Sequence, residues 1–181
     1  MPRRLLMLLC LAALAGGLVA CGNSDVEKGV EEPAREGLAL ELEDIEYNVF
    51  ITRQLTTKIT PDMAYFDGPE PAEGETLYGV FIQVCNRSDD THETADDFKI
   101  MDAQGHEFEP EELPEDNAFA YHAGELEPDE CFPEAGSVAQ LGPTSGSMLL
   151  FRLPLENTEY RPLELEVEGE GDEHLTFELD I

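Results

Sequence analysis

Leu77-Tyr78-Gly79-Val80-Phe81-Ile82-Gln83-Val84-Cys85-Asn86 is the stretch on which the reading of this chain turns. Side chains alternate across a β-strand. Tyr78, Val80, Ile82 and Val84 therefore share one face, and Leu77, Phe81 and Cys85 share the other. A strand that is apolar on both faces is covered on both faces. The main core is expected under the first set, and a second cover over the second set, with Cys85 beneath it.

Strand-like patterns extend outward from this segment. Upstream, Leu38, Leu40 and Leu42 alternate, and Ile45, Tyr47, Val49 and Ile51 continue with the parity shifted by one. A one-residue shift turns an apolar set outward, so a β-bulge near Glu43-Asp44 is expected to restore the common face. Thr52 to Thr60 is rich in β-branched residues, and Pro61 to Gly74 reads as a loop in which Tyr65 and Phe66 tuck against the domain. Downstream, Asn86 to His92 reads as a turn. Asp97 to Asp102 is a short strand with Phe98 and Ile100 on one face, and Ala103 to His106 is a tight turn into Glu107-Phe108-Glu109.

Glu109 to Gly136 is long, acidic and proline-bearing, with Phe119, Tyr121, Phe132 and Cys131 along it. Loops of that length are functional or tied down. It is expected to drape over the outer face of the Leu77–Asn86 strand, with room for helix within Pro110 to Tyr121. Ser137 to Leu141 reads as a strand, and Gly142 to Gly146 as a turn. Met148 to Leu153 is a second strand apolar on both faces, ended by Pro154. Leu163, Leu165 and Val167, then Leu175, Phe177, Leu179 and Ile181, alternate to the last residue. Some eight short strands with turn signals between them, and no amphipathic helix, predict an all-β, antiparallel two-sheet sandwich over residues 38–181.

The first residues carry a different signal. Arg3 and Arg4 precede an apolar run from Leu5 that ends in Leu18-Val19-Ala20-Cys21. A basic start, an apolar stretch and a small residue before the cut is the layout of a secretory signal. The run is shorter than the ~20 apolar residues that cross a bilayer. Its end resembles the lipobox of bacterial lipoproteins. The resemblance implies that residues 1–20 are removed as a signal peptide and that Cys21 is joined to a diacylglycerol and becomes the new N-terminus. The chain would then sit at the cell membrane, lipid-anchored on the extracytoplasmic face. Two acyl chains anchor stably where one does not. Residues 21–37, polar and acidic after the cysteine, are expected to form a flexible tether.

The formal net charge is −31, with 41 Asp and Glu against 10 Lys and Arg. Such a surface repels phosphate backbones, so no nucleic-acid partner is expected. It also repels anionic head groups, which leaves the acyl chains on Cys21 as the membrane contact. Of four cysteines, Cys10 leaves with the signal and Cys21 takes lipid. Cys85 and Cys131 remain, and outside the cytoplasm such a pair reads first as one disulfide. In the chain-entropy model a loop this long contributes ~4 kcal/mol. The alternative is a thiolate beside His92 or His122, for which no surrounding motif speaks.

Calcium is the most reasonable small ligand, since hard cations take oxygen-rich turns. Asp89, Asp90, Glu93, Asp96 and Asp97 crowd one turn, and Asp62, Asp67, Glu70, Glu73 and Glu75 another. Neither has the spacing of an EF-hand, and a solvated acidic turn is the competing reading. Cys85, His92 and Met101 are ligand types for copper, but too openly spaced. No nucleophile-elbow, zincin or phosphate-loop pattern is present, and no enzyme or other cofactor is expected.

Three stretches together carry a further resemblance: Val84-Cys85-Asn86, then Asp97-Phe98-Lys99-Ile100-Met101-Asp102 with Gly105 after it, then Gly146 to Pro154, with Phe151-Arg152-Leu153-Pro154 at its close. Between about Leu40 and Ile181 the chain resembles a family of immunoglobulin-like domains of unknown function in lipoproteins of Gram-positive bacteria. That implies an immunoglobulin-like sandwich and no established catalysis. The Cys85/Cys131 pair and the long acidic segment lie outside the pattern. The function expected is a non-catalytic module binding a protein or envelope component. The alternative is a calcium or small-solute binder, and a thiol enzyme ranks below both.

Overall fold

The computed structural model describes residues 33–181. The signal of residues 1–20, Cys21 and the tether up to residue 32 lie outside the described residues.

Two sheets face each other. The first has the order β10 (Ser147–Pro154), β4 (Glu75–Asn86), β3 (Ile45–Leu55), β2 (Ala39–Leu42). Beyond the end of β10, the two-residue β9 (Cys131–Phe132) takes over beside β4. The second sheet has the order β1 (Ala34–Arg35), β12 (His174–Glu178), β11 (Glu164–Glu168), β6 (Phe98–Met101), β7 (Glu107–Phe108). All pairings are antiparallel except β1 with β12. A small separate pair joins β5 (His92–Glu93) to β8 (Glu125–Leu126).

The alternation decides what each face buries. Tyr78, Val80, Ile82 and Val84 of β4 enter the main core with Leu149, Phe151 and Leu153 of β10, and meet Phe98, Ile100, Leu165, Val167, Leu175 and Phe177 from the other sheet. Leu77 and Phe81 point the opposite way, into a second cluster with Leu55, Met148, Leu150, Tyr65 and Phe66. The ring of Tyr65 stands edge-on to Phe81 at 5.1 Å and to Phe119 at 4.8 Å. Both strands read as apolar on both faces are covered on both faces.

Four local expectations are corrected. Glu43-Asp44 is not a bulge but a two-residue hairpin turn between β2 and β3, with φ of 52° and 65°. Two turn residues with left-handed backbone match the twist of a tight hairpin, and Leu42 and Ile45, directly opposite, face the same core. The bulge lies at Phe50, where the pairing shifts between Val49 and Ile51. It turns Ile51 to the outer face, 41% exposed. The stretch taken as tether ends earlier than residue 37, because Ala34 and Arg35 pair with Phe177 and Glu178. Ser137 to Leu141 is no strand. Ser137 caps a single helical turn, α1 (Val138–Leu141), by accepting a bond from the Gln140 N–H, as serine does at a helix start.

The long acidic segment has no helix within 110–121, and it covers an edge more than a face. Pro110 and Ala120 bridge to Phe151 and Met148 on the open side of β10. The bonds include Glu111 N–H to Leu150 O and Met148 N–H to Phe119 O, both 2.6 Å. An unpaired strand edge is an aggregation liability, and this segment removes that one. Only Leu113 and Phe119 reach the outer face, where Tyr65 and Phe66 supply most of the cover.

If the outer cluster is a core in its own right, truncating it costs as much as truncating the inner one. Phe81 and Phe151 are both fully buried. Phe81→Ala and Phe151→Ala are each expected to lower unfolding free energy by about 3–5 kcal/mol, read as a lower urea midpoint at unchanged slope. A loss below about 1 kcal/mol for Phe81→Ala would show the outer cover to be loose.

Candidate functional site

The acidic turn after β4 is built around Asn86, which is fully buried. Its amide donates to Asp90 O at 2.7 Å and Leu126 O at 2.9 Å. Its carbonyl oxygen accepts from the Ser88 N–H and hydroxyl. All the hydrogen-bonding groups of this side chain are therefore spent inside the fold. The Asp90 carbonyl, which a cation in this turn would compete for, is already held by Asn86 and Ser88. Asp89, Asp90, Glu93, Asp96 and Asp97 are divided among this turn, β5 and the approach to β6. Among the described residues, no three His, Cys, Asp or Glu side chains form a group that could hold a metal ion. The same holds for the acids from Asp62 to Glu75. There, Asp62 instead pairs with Arg53 at 2.5 Å and accepts from the Thr56 N–H, fastening the loop to the end of β3.

Cys85 and Cys131 stand directly opposite in β4 and β9 and are bonded to each other. Cys85 is 1% exposed. A bonded, buried sulfur is neither nucleophile nor copper ligand, so the thiolate beside His92 or His122 and the Cys85–His92–Met101 set are both set aside.

Asp102 closes the turn after β6. It accepts from the Gln104 and His106 N–H groups at 2.8 and 3.0 Å, from the Asn157 amide at 2.8 Å, and lies 2.8 Å from His106 Nδ1. Burial alone works to push its carboxyl up. The bonds from Asn157, His106 and Gln104 outweigh it and hold the group well below the usual carboxylate range. An Asp–His pair is half of a catalytic triad, but the groups around this histidine are Asp102, Asn157 and Tyr160. No hydroxyl or thiol nucleophile bonds to it among the described residues. The pair locks a turn.

What the motif reading missed is the outer face of the second sheet. Glu164, Glu166 and Glu168 of β11 point outward beside Lys99 of β6 and Thr176 and Glu178 of β12. Lys99 bonds Glu166 at 2.8 Å and Glu168 at 2.6 Å, and these bonds raise its pKa. Glu164 faces Glu178 across the strand pair. Burial first, then the charges of Glu178 and Glu166, push its carboxyl up. The signal was present in Leu163-Glu164-Leu165-Glu166-Val167-Glu168, whose every second residue is acidic. This face is complementary to cations and by itself specifies no ligand. An open cleft of about 570 Å³ at the sandwich edge holds Lys99 and Arg152. Both are already engaged, Arg152 with Glu111 at 2.8 Å.

The Asp102 turn makes a pH-dependent contribution with a defined sign. A carboxyl lowered on folding adds stability above its unfolded value of about 4 and loses it as pH falls from there through the folded value. Asp102→Asn is expected to lower stability by about 1–3 kcal/mol at pH 7. The gap to the parent should narrow steadily as pH falls below about 4, followed by urea unfolding at stepped pH. A gap constant with pH would separate the turn from the titration.

No protein-family model matches the chain, and no curated protein matches it. Among solved structures it is similar to the yjhA protein from Bacillus subtilis, with a TM-score of 0.50 and 10% identity over 81% of this chain and 99% of that one. An uncharacterized β-sandwich protein from Clostridium difficile 630 has a TM-score of 0.46 and 12% identity, over 85% of this chain and 100% of that one. At 10% identity the likeness to yjhA speaks to the fold alone. The chain is a two-sheet β-sandwich.

Proposed function

We propose that this chain is a lipid-anchored, extracytoplasmic β-sandwich module that acts by binding a protein or envelope component rather than by catalysis. The observation that carries the reading is the Cys85–Cys131 bond. Disulfides persist outside the cytoplasm, which is where the signal of residues 1–20, cut before Cys21, would send the chain. Two features independent of each other, one at the N-terminus and one in the fold, thus point to the same compartment. The non-catalytic part rests on how the chemistry-bearing residues are used. The cysteines are bonded together, Asp102 and His106 hold a turn, and Lys99 is enclosed by glutamates. The partner is the component that the charged or apolar exposed surfaces fit.

Mass spectrometry of the membrane fraction tests the anchor. The mature chain is expected to begin at Cys21 carrying a diacylglycerol, and Cys21→Ser to leave the chain unlipidated. Unlipidated wild-type protein beginning elsewhere would overturn the reading. Affinity capture from intact membranes then reads the partner.

A further inference from the structure

Among residues 33–181 both cysteines are bonded to each other, and the chain contains no tryptophan. The thioethers are then the side chains most open to a two-electron oxidant. Three methionines lie among the described residues. Met148 sits in the outer cluster, 1% exposed. Met101 is half-buried on β6, flanked by Glu164 of β11 and Glu107 of β7. Met63 is 53% exposed.

The turn around Met63 decides what its sulfur meets. Asp62 to Ala64 form one 3-10 turn, and in such a turn residues three apart stand on the same side. Asp62 and Tyr65 are three apart and go inward. Asp62 meets Arg53 and the Thr56 N–H, and the Tyr65 ring lies against Phe81 and Phe119. Thr60 and Met63 are three apart and are both exposed. There the Thr60 hydroxyl donates to Met63 Sδ at 3.4 Å. The backbone beneath is fastened separately, Met63 N–H to Ile59 O at 3.0 Å, Ala64 N–H to Pro61 O at 2.9 Å and Tyr65 N–H to Asp62 O at 3.0 Å. The sulfur thus faces water with a hydroxyl donor on it, and none of the bonds that hold the turn passes through it.

We infer that Met63 is a modification site for peroxides, oxidised to the sulfoxide ahead of Met101 and Met148, and that Thr60 holds the product. A lone pair on Sδ attacks one peroxide oxygen, and the S–O bond forms as the O–O bond breaks. The sulfur gives up two electrons. The leaving oxygen takes the proton of the transferred one and departs as water, or as an alcohol from an alkyl hydroperoxide. A thioether is a weak acceptor and a sulfoxide oxygen a strong one, so the Thr60 hydroxyl gains a better partner where it already stands. At Met148 the same oxygen would be a polar group in a closed apolar cluster, which is costly. An oxidant reaching the domain is thereby spent where the cover made by Tyr65 and Phe66 is left in place. Sulfoxide reductases restore such a thioether.

The test treats the full chain with hydrogen peroxide and follows each methionine by peptide mass mapping. Met63 is expected to gain one oxygen about tenfold faster than Met148 and about threefold faster than Met101. Methionine sulfoxide reductases should return it to the thioether in the folded protein. Protein oxidised at Met63 alone is expected to keep the urea midpoint of the reduced form. Thr60→Val should oxidise at the parent's rate, but its oxidised form should unfold at lower urea than its reduced form. Met63→Leu is the second variant, in which the fast oxidation should vanish while Met101 and Met148 keep their rates. Met101 or Met148 oxidised as fast as Met63, or a fast phase that survives in Met63→Leu, overturns the site. An oxidised parent that loses midpoint as Thr60→Val does, or a Thr60→Val that loses none, overturns the role of Thr60.

Discussion

β4 is buried on both sides, and the rest of the sandwich is arranged to make that true. Its inner residues need an opposing sheet, and β6, β11 and β12 provide one. Its outer residues need a cover that no third sheet supplies. Two irregular segments supply it instead, Tyr65 and Phe66 from the loop after β3, and Leu113 and Phe119 from the long acidic segment. Irregular backbone must be bonded to be held there. Asp62 to Arg53, Asn117 to Tyr65 O, and the bonds from residues 110–121 to β10 serve that purpose. A strand placed between two covers explains why so much of this small domain lies outside its sheets.

That central feature was legible because burial leaves a pattern of two in sequence. Tyr78 to Val84, Met148 to Leu153, Phe98 with Ile100, and Leu163 to Val167 all face as their alternation says. What was not legible depends on differences of one residue or on backbone angle. A parity shift at Glu43-Asp44 is the same whether the chain bulges or turns back, and two non-glycine residues at positive φ gave no warning of a hairpin. Ala34-Arg35 is too short for any alternation. Ser137 to Leu141 is too short to choose between periods, and its serine cap decided for helix. The acids of residues 89–97 are close in sequence, but sequence proximity does not fix the direction of their side chains. Once Asn86 takes the interior of the turn, their side chains are left outside it.

The short motifs behind the family resemblance turn out to share a use. Asn86 ties the turn after β4. Phe98 and Ile100 enter the core while Lys99 between them joins β6 to β11. Asp102 receives the turn in which Gly105 takes a φ of +82°. Pro154 ends β10. Each is satisfied within the domain, so motifs of this kind speak for a fold, and the specificity of any one protein must reside in surfaces they do not touch.

The bond between Cys85 and Cys131 has a mechanical side. The two sulfurs join positions 46 apart. A pull applied between the ends of the chain crosses from β4 to β9 through that bond and skips everything between them. β5, β6, β7, β8 and most of the segment along the β10 edge lie off the load path. They unfold by heat or denaturant like the rest, but stretching cannot lengthen them while the sulfurs hold. For a domain held by one end, the pieces most dependent on scattered bonds are the ones spared the force.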